Sequence, residues 1–296
     1  MDNVILTTDH LTKKYRDTVA NDGITISVPR GKIIGFVGEN GSGKTTLLRT
    51  VTGLIKPTSG SFRYHTESGS CRVGAIVESP ALFPGLSAYD NLAFQARLCG
   101  APLSDIPDLL ETVGLTGTGK KKAKQFSLGM RQRLGIAVAL LSKPDLLILD
   151  EPTNGLDPQG IIELRKMLRS LCDDKGMTIL ISSHILSELS QLADAYLFLH
   201  KGRISETSTA SELSEHATKE LRFQCRENAE NAVKAILEKG YAEKASPVDG
   251  GFVLYDPKDY SGILRELSVL EITDLETRKA SLESHYLEIM NKEEKS

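Results

Sequence analysis

Apolar and polar positions change rhythm several times along this chain of 296 residues. Ile24, Ile26 and Val28 alternate with polar neighbours, the period-two pattern of a strand with one face buried. Residues 1–40 read as short strands. From Ile33 to Val37 the chain is almost continuously apolar, which suits a strand covered on both faces. A glycine-rich loop follows, and a helix is expected from about Thr45. Over residues 91–141 the period turns helical: Ile106, Leu109, Leu110 and Val113 fall at i, i+3, i+4 and i+7. Strands return at residues 146–149 and 178–182. Apolar, parallel-type strands alternating with helices imply an α/β layered domain. We expect it to span residues 1–214, with a helical subdomain at about 88–142.

After about Ser211 the rhythm changes again. Leu221, Phe223 and Cys225 alternate as a strand, and Val233, Ile236 and Leu237 form a helical stripe. Gly250-Gly251 marks a turn into a strand over residues 252–255. Ile263, Leu264 and Leu267 mark a second helix, and residues 271–273 a further strand. The order β-α-β-β-α-β is the split, ferredoxin-like arrangement, so a small α+β domain is expected over 215–296. A closing helix would carry Leu282, Tyr286 and Ile289 on one side.

With 40% hydrophobic and 25% charged residues, the chain has the profile of a globular protein of two domains. Lysine and arginine number 36 against 39 acidic residues, so no basic field argues for nucleic acid. The one basic run, Lys120, Lys121, Lys122 and Lys124, reads as a solvated loop or as a short contact with anionic lipid. Cys71, Cys99, Cys172 and Cys225 are scattered without a CxxC pair, which fits reduced thiols in a cytosolic protein. The N-terminus lacks the charged and apolar regions of a signal peptide. No apolar run approaches the ~18–20 residues that span a bilayer. Service to a membrane is therefore expected to run through a partner, from the cytoplasmic face.

Three motifs carry chemistry. Gly38-Glu39-Asn40-Gly41-Ser42-Gly43-Lys44-Thr45 matches GxxxxGK[ST]. Its glycines let consecutive N–H groups wrap phosphates, Lys44 would reach the β- and γ-phosphates, and the Thr45 hydroxyl would hold Mg²⁺. The helix start at Thr45 and Thr46 adds partial positive charge. Residues 146–149 lead into Asp150 and Glu151, an apolar strand ending in two carboxylates. Asp150 would bind Mg²⁺ through water, and Glu151 would polarise the attacking water. Phe126-Ser127-Leu128-Gly129-Met130 opens a helix whose serine and free N–H groups form an anion site.

In this order the motifs resemble those of the ABC transporter ATPases, over about residues 4–210. The resemblance implies that Ser127 and Gly129 of one copy cap the γ-phosphate held by another, in a homodimer with two ATP molecules at its interface. The usual LSGGQ is altered: Leu128 replaces the first glycine and Met130 the glutamine. Asp157, in Asn154-Gly155-Leu156-Asp157, resembles the loop that crosses the dimer interface. His184 resembles the histidine that contacts the γ-phosphate, and Tyr15 the aromatic that stacks on adenine. Glu78 departs from the family's glutamine, which binds Mg²⁺ and couples to the membrane partner; an anion there would contact the metal more strongly. Glutamate at this position is similar to the branch of bacterial exporters that protect against lantibiotics and bacitracin. A permease partner and a place at the cytoplasmic face of a bacterial membrane follow from the same resemblance. The tail over residues 281–289 resembles that of ABC-2 type exporter ATPases, and leaves regulation, permease docking and plain packing open.

Other classes fit less of the chain. An ABC-type machine on DNA or ribosomes would fuse two cassettes or insert long coiled coils. A P-loop kinase or GTPase leaves Ser127, Asp157 and His184 without a role. Glu151 argues against an idle, ATP-gated scaffold. Export of another lipid, drug or ion is the alternative within exporters.

Overall fold

The computed structural model describes residues 3–66, 71–216, 219–225 and 229–279, together with Leu282 and Tyr286. The chain divides into two units, residues 1–210 and 211–296. The first runs β1 (Val4–Tyr15), β2 (Thr18–Ile24), β3 (Ser27–Pro29), β4 (Ile33–Val37), α1 (Lys44–Val51), β5 (Ser59–Tyr64), β6 (Val73–Ile76), α2 (Ala88–Cys99), α3 (Ile106–Thr112), α4 (Leu128–Leu140), β7 (Leu146–Asp150), α5 (Pro158–Asp173), β8 (Thr178–Ser183), α6 (Leu186–Leu189), β9 (Ala195–His200) and β10 (Arg203–Thr209). Helix α7 (Ala210–His216) follows at the division.

One sheet has the order β10-β9-β4-β8-β7-β6, parallel throughout except for β10 at its edge. Strands β4, β7 and β8 are buried at every residue, as their unbroken apolar runs require. The other sheet is antiparallel, with β1 pairing β2, β3 and β5. Here the structure corrects the sequence reading. β1 is one strand of 12 residues, not several short ones, and it shifts register against each partner. Ile24, Ile26 and Val28 all turn inward, but Ile24 ends β2, Val28 belongs to β3 and Ile26 lies in the break between them. Buried Thr8 takes up the break: its hydroxyl donates to Ile24 O (2.8 Å) and accepts from Ile26 N–H (3.0 Å). Strands β5, β6, β9 and β10 are absent from the sequence reading.

Helix α1, with eight residues, is too short to be stable alone. Leu47, Leu48 and Val51 bury it between Ile5, Leu6 and Leu11 of β1 and Ile34, Phe36, Leu146 and Ile148 of the parallel sheet. At roughly 1.5–3 kcal/mol per buried side chain, this packing fixes the helix and the loop that precedes it. The helical block is present as α2, α3 and α4, with Ile106 and Val113 buried on the expected face.

The second unit runs β11 (Lys219–Cys225), α8 (Glu230–Glu238), β12 (Lys244–Val248), β13 (Gly251–Tyr255), α9 (Tyr260–Leu267) and β14 (Ile272–Lys279). All strand pairs are antiparallel, in the order β12-β13-β11-β14, so the expected split βαβ arrangement is present. Leu221, Phe223, Val233, Ile236, Leu254 and Ile263 form its core. Leu237 and Leu264, assigned to the helical stripes, are exposed. The last strand is longer than residues 271–273 suggest. Leu282 and Tyr286 are helical and buried, while Ile289 lies outside the described residues.

Candidate active site

Strands β4, β7 and β8 end side by side: Val37 is paired with Ser183, and Asp150 with Ser182. Whatever follows them is brought to one edge of the sheet. The glycine loop follows β4, Glu151 follows β7 and His184 follows β8. Parallel sheets hold their ligands beyond this carboxyl edge.

The glycine loop wraps around its own lysine. Lys44 is 5% exposed, and its ammonium donates to Gly38 O (2.6 Å) and Glu39 O (3.0 Å). A buried ammonium needs a countercharge, which Glu151 Oε1 supplies at 3.4 Å. The second oxygen, Oε2, lies 2.7 Å from His184 Nδ1 and accepts weakly from the His184 N–H at 3.3 Å. An ionised carboxylate can only accept, so Nδ1 carries the proton and Nε2 stays available. Glu151 thus joins Lys44 to His184, on a backbone with a φ of 47°.

Two residues outside the sequence motifs hold this arrangement. Ser182 is fully buried; its hydroxyl donates to Asp150 Oδ1 (2.6 Å) and accepts from Glu151 N–H (2.9 Å). Asn21, buried on β2, donates from Nδ2 to Gly43 O at 3.1 Å. Strand pairing across the sheet could have pointed to Ser182; nothing in the local sequence points to Asn21.

Gly43 must be glycine: its φ is 109°, and a Cβ would lie 2.3 Å from Ala20 O. A Cβ on Gly38 would meet Leu199 O at 2.4 Å. Asn40 and Gly41 are exposed at the loop's crest. Ser42 Oγ is buried without a hydrogen-bond partner among the described residues. The first intrahelical bond of α1 is Leu47 N–H to Gly43 O (2.9 Å), so the amides of Lys44, Thr45 and Thr46 lie ahead of it. An ammonium, an unpartnered hydroxyl and a row of helix-start amides make a site for a polyanion. The Thr45 hydroxyl and the Asp150 carboxylate are hard oxygen donors that suit Mg²⁺. No cluster of three or more His, Cys, Asp or Glu could hold a metal by itself among the described residues. That donor set fits a cation held jointly with phosphate oxygens.

The remaining sequence-derived residues make their contacts elsewhere. Tyr15 ends β1 at a hairpin and is 42% exposed, with Lys13 Nζ 5.1 Å from its ring centre. Glu78 has a φ of 69° and pairs through Oε1 with Arg49 Nη2 at 2.5 Å. Ser127 caps α4, its hydroxyl accepting from Met130 N–H at 3.2 Å. Gly129 faces Leu156, and Leu128 faces Gly155. Asp157 caps α5, accepting from Gly160 N–H at 3.2 Å.

Residues 21–154 match the ABC transporter family. Over 98% of its length the chain is 40% identical to the bacitracin transport ATP-binding protein BcrA of Bacillus licheniformis, of which it covers 98%. Over 75% of its length it is 43% identical to the lantibiotic transport ATP-binding protein SrtF of Streptococcus pyogenes, covering all of that protein. Among solved structures, cbiO1 of Clostridium perfringens, part of the ABC transporter complex cbiONQ, superposes with a TM-score of 0.65 at 28% identity. That match covers 80% of this chain and 96% of the other.

Proposed function

The chain belongs to the ABC transporter family of ATPases, and from that premise we propose that it powers the export of antimicrobial peptides of the bacitracin or lantibiotic class. The observation that carries the reading is the joint contact of Glu151 with Lys44 and His184 at the sheet edge. A bacitracin transport relative matched over 98% of the chain and a lantibiotic transport relative matched over 75% of it support the substrate class.

In this reading Lys44, Ser42 and the amides of residues 43–46 bind the β- and γ-phosphates. Glu151 orients and polarises the attacking water, and His184, turned by Glu151 through Nδ1, presents Nε2 to the γ-phosphate. Thr45 and Asp150, with Glu78, would hold Mg²⁺. When bound, the ion neutralises charge on the phosphates. Tyr15 offers its exposed ring to adenine. A second copy completes each site with Ser127, Gly129 and Asp157, so the working unit is a homodimer. Its motion is passed to an integral permease from the cytoplasmic face of the membrane. Among the described residues no helix is long and apolar enough to cross a membrane. Residues 1–214 form the nucleotide-binding domain and residues 215–296 an accessory domain of this machine.

Killing by bacitracin and a panel of lantibiotics tests the assignment, in cells carrying the adjacent permease with this chain, with Glu151→Gln or with no ATPase. Protection that requires Glu151 is the expected result. Equal sensitivity in all three strains, with active ATPase in the purified protein, would discard the peptide substrate.

A further inference from the structure

Glu78 has a partner that its sequence motif does not announce. Arg49 lies in the last turn of α1, where a cation complements the helix dipole. Its guanidinium meets Glu78 Oε1 at 2.5 Å, with the side chains 36% and 62% exposed. The backbone at Glu78 is unusual as well. Its φ is 69°, and the Ser79 N–H donates to Val77 O across it at 3.1 Å. This is a three-residue γ-turn with positive φ at its centre, a strained form that an L side chain rarely adopts. Such a turn persists where a neighbouring contact holds it, and the Arg49 ion pair is a contact made by the residue at its centre. Helix α1 therefore carries the phosphate loop at one end and the hold on Glu78 at the other.

We propose that Arg49 is a positioning residue: it holds Glu78 in the γ-turn and competes with the divalent cation for its carboxylate. The proposal rests on the reading of Glu78 as a metal ligand. Two cations brought to one exposed carboxylate repel each other, so each weakens the hold of the other. A glutamine at this position would be free of the competition, because an amide offers a guanidinium no charge. The glutamate and the arginine form one device in this chain.

Full-chain protein carrying Arg49→Gln, Arg49→Lys, Glu78→Gln or both glutamine changes tests this with two probes. Hydrogen exchange at the Ser79 amide, without added nucleotide, reads the hold on the turn. Titration of ATP hydrolysis with Mg²⁺ reads the competition. We expect Arg49→Gln to speed Ser79 exchange and to lower the half-saturating Mg²⁺ concentration about two- to fivefold, the scale of an exposed ion pair. Arg49→Lys should fall near wild type, and Arg49→Gln should shift nothing in the Glu78→Gln background. Unchanged Ser79 exchange, or an equal Mg²⁺ shift in both backgrounds, overturns the proposal. A Mg²⁺ response indifferent to Glu78→Gln alone overturns instead the metal role on which it rests.

Discussion

Replacing Ser182 by alanine removes a single oxygen from β8, yet that oxygen holds the Asp150 carboxylate and the Glu151 backbone at the sheet edge. Its hydroxyl donates to Asp150 Oδ1 at 2.6 Å and accepts from Glu151 N–H at 2.9 Å. Ser182 is fully buried and Asp150 is buried beside it, so water cannot take the place of the lost donor. A buried hydrogen bond to a charged group contributes about 1.5–3 kcal/mol. The Glu151 amide also reaches Ser182 O at 3.2 Å, so it keeps a partner and adds little to the loss. A penalty of about 1.5–3 kcal/mol in a unit of this size lowers its melting temperature by about 3–12 °C. Calorimetry is the suitable assay, since the chain has no tryptophan to follow. Loosening the Asp150 carboxylate should also slow ATP hydrolysis about 10- to 100-fold, the scale of misplaced catalytic groups. A variant that melts within a degree of wild type and hydrolyses ATP at the same rate would refute the role assigned to Ser182.

Three further outcomes follow from other contacts. Gly43→Ala should weaken ATP binding by about tenfold or more in a fluorescent-nucleotide titration, because φ at 109° and the Ala20 carbonyl exclude a Cβ. Asn91→Ala should cost about 2–4 kcal/mol by calorimetry and speed exchange at the Phe83 amide; fully buried Asn91 accepts from Phe83 N–H (2.7 Å) and donates to Phe83 O (3.1 Å) and Ser87 O (2.9 Å). Burial first, and the nearby Asp145 second, push the Cys71 thiol up to about 11, so at pH 8 iodoacetamide should label exposed Cys99 well before Cys71. Raising the pH toward that value should increase Cys71 labelling about tenfold per unit, as peptide mapping would show.

The parts of the site that were legible in the sequence are those set by local chemistry. A phosphate loop needs glycines at fixed spacing, and a two-faced buried strand needs an unbroken apolar run, so β4, the loop and β7 could be read directly. The register that brings Asp150 beside Ser182 belongs to the pairing of strands far apart in sequence, so the support given by Ser182 and Asn21 was hidden. The same holds for Arg49, whose partner lies across α1 and β6 on another loop. Of the missed strands, β5 is mostly exposed and polar and has no apolar rhythm to betray it. The break between β2 and β3 escaped because inward alternation continues across it, held by a threonine from a different strand. In the second unit the pattern told the order of elements well, since each strand and helix there has one face on a small core.

The most direct test of the site is single-turnover ATP hydrolysis by the purified protein and by Glu151→Gln, with ATP affinity measured alongside. Glu151 is the countercharge of Lys44 and the partner of His184, so its neutral isostere should leave the ammonium freer to take phosphate. Hydrolysis should fall about 100-fold or more, the scale of a lost general base, while ATP binds at least as tightly as before. Hydrolysis at the wild-type rate with Glu151 neutralised would contradict the assignment of the catalytic centre to this edge of the sheet.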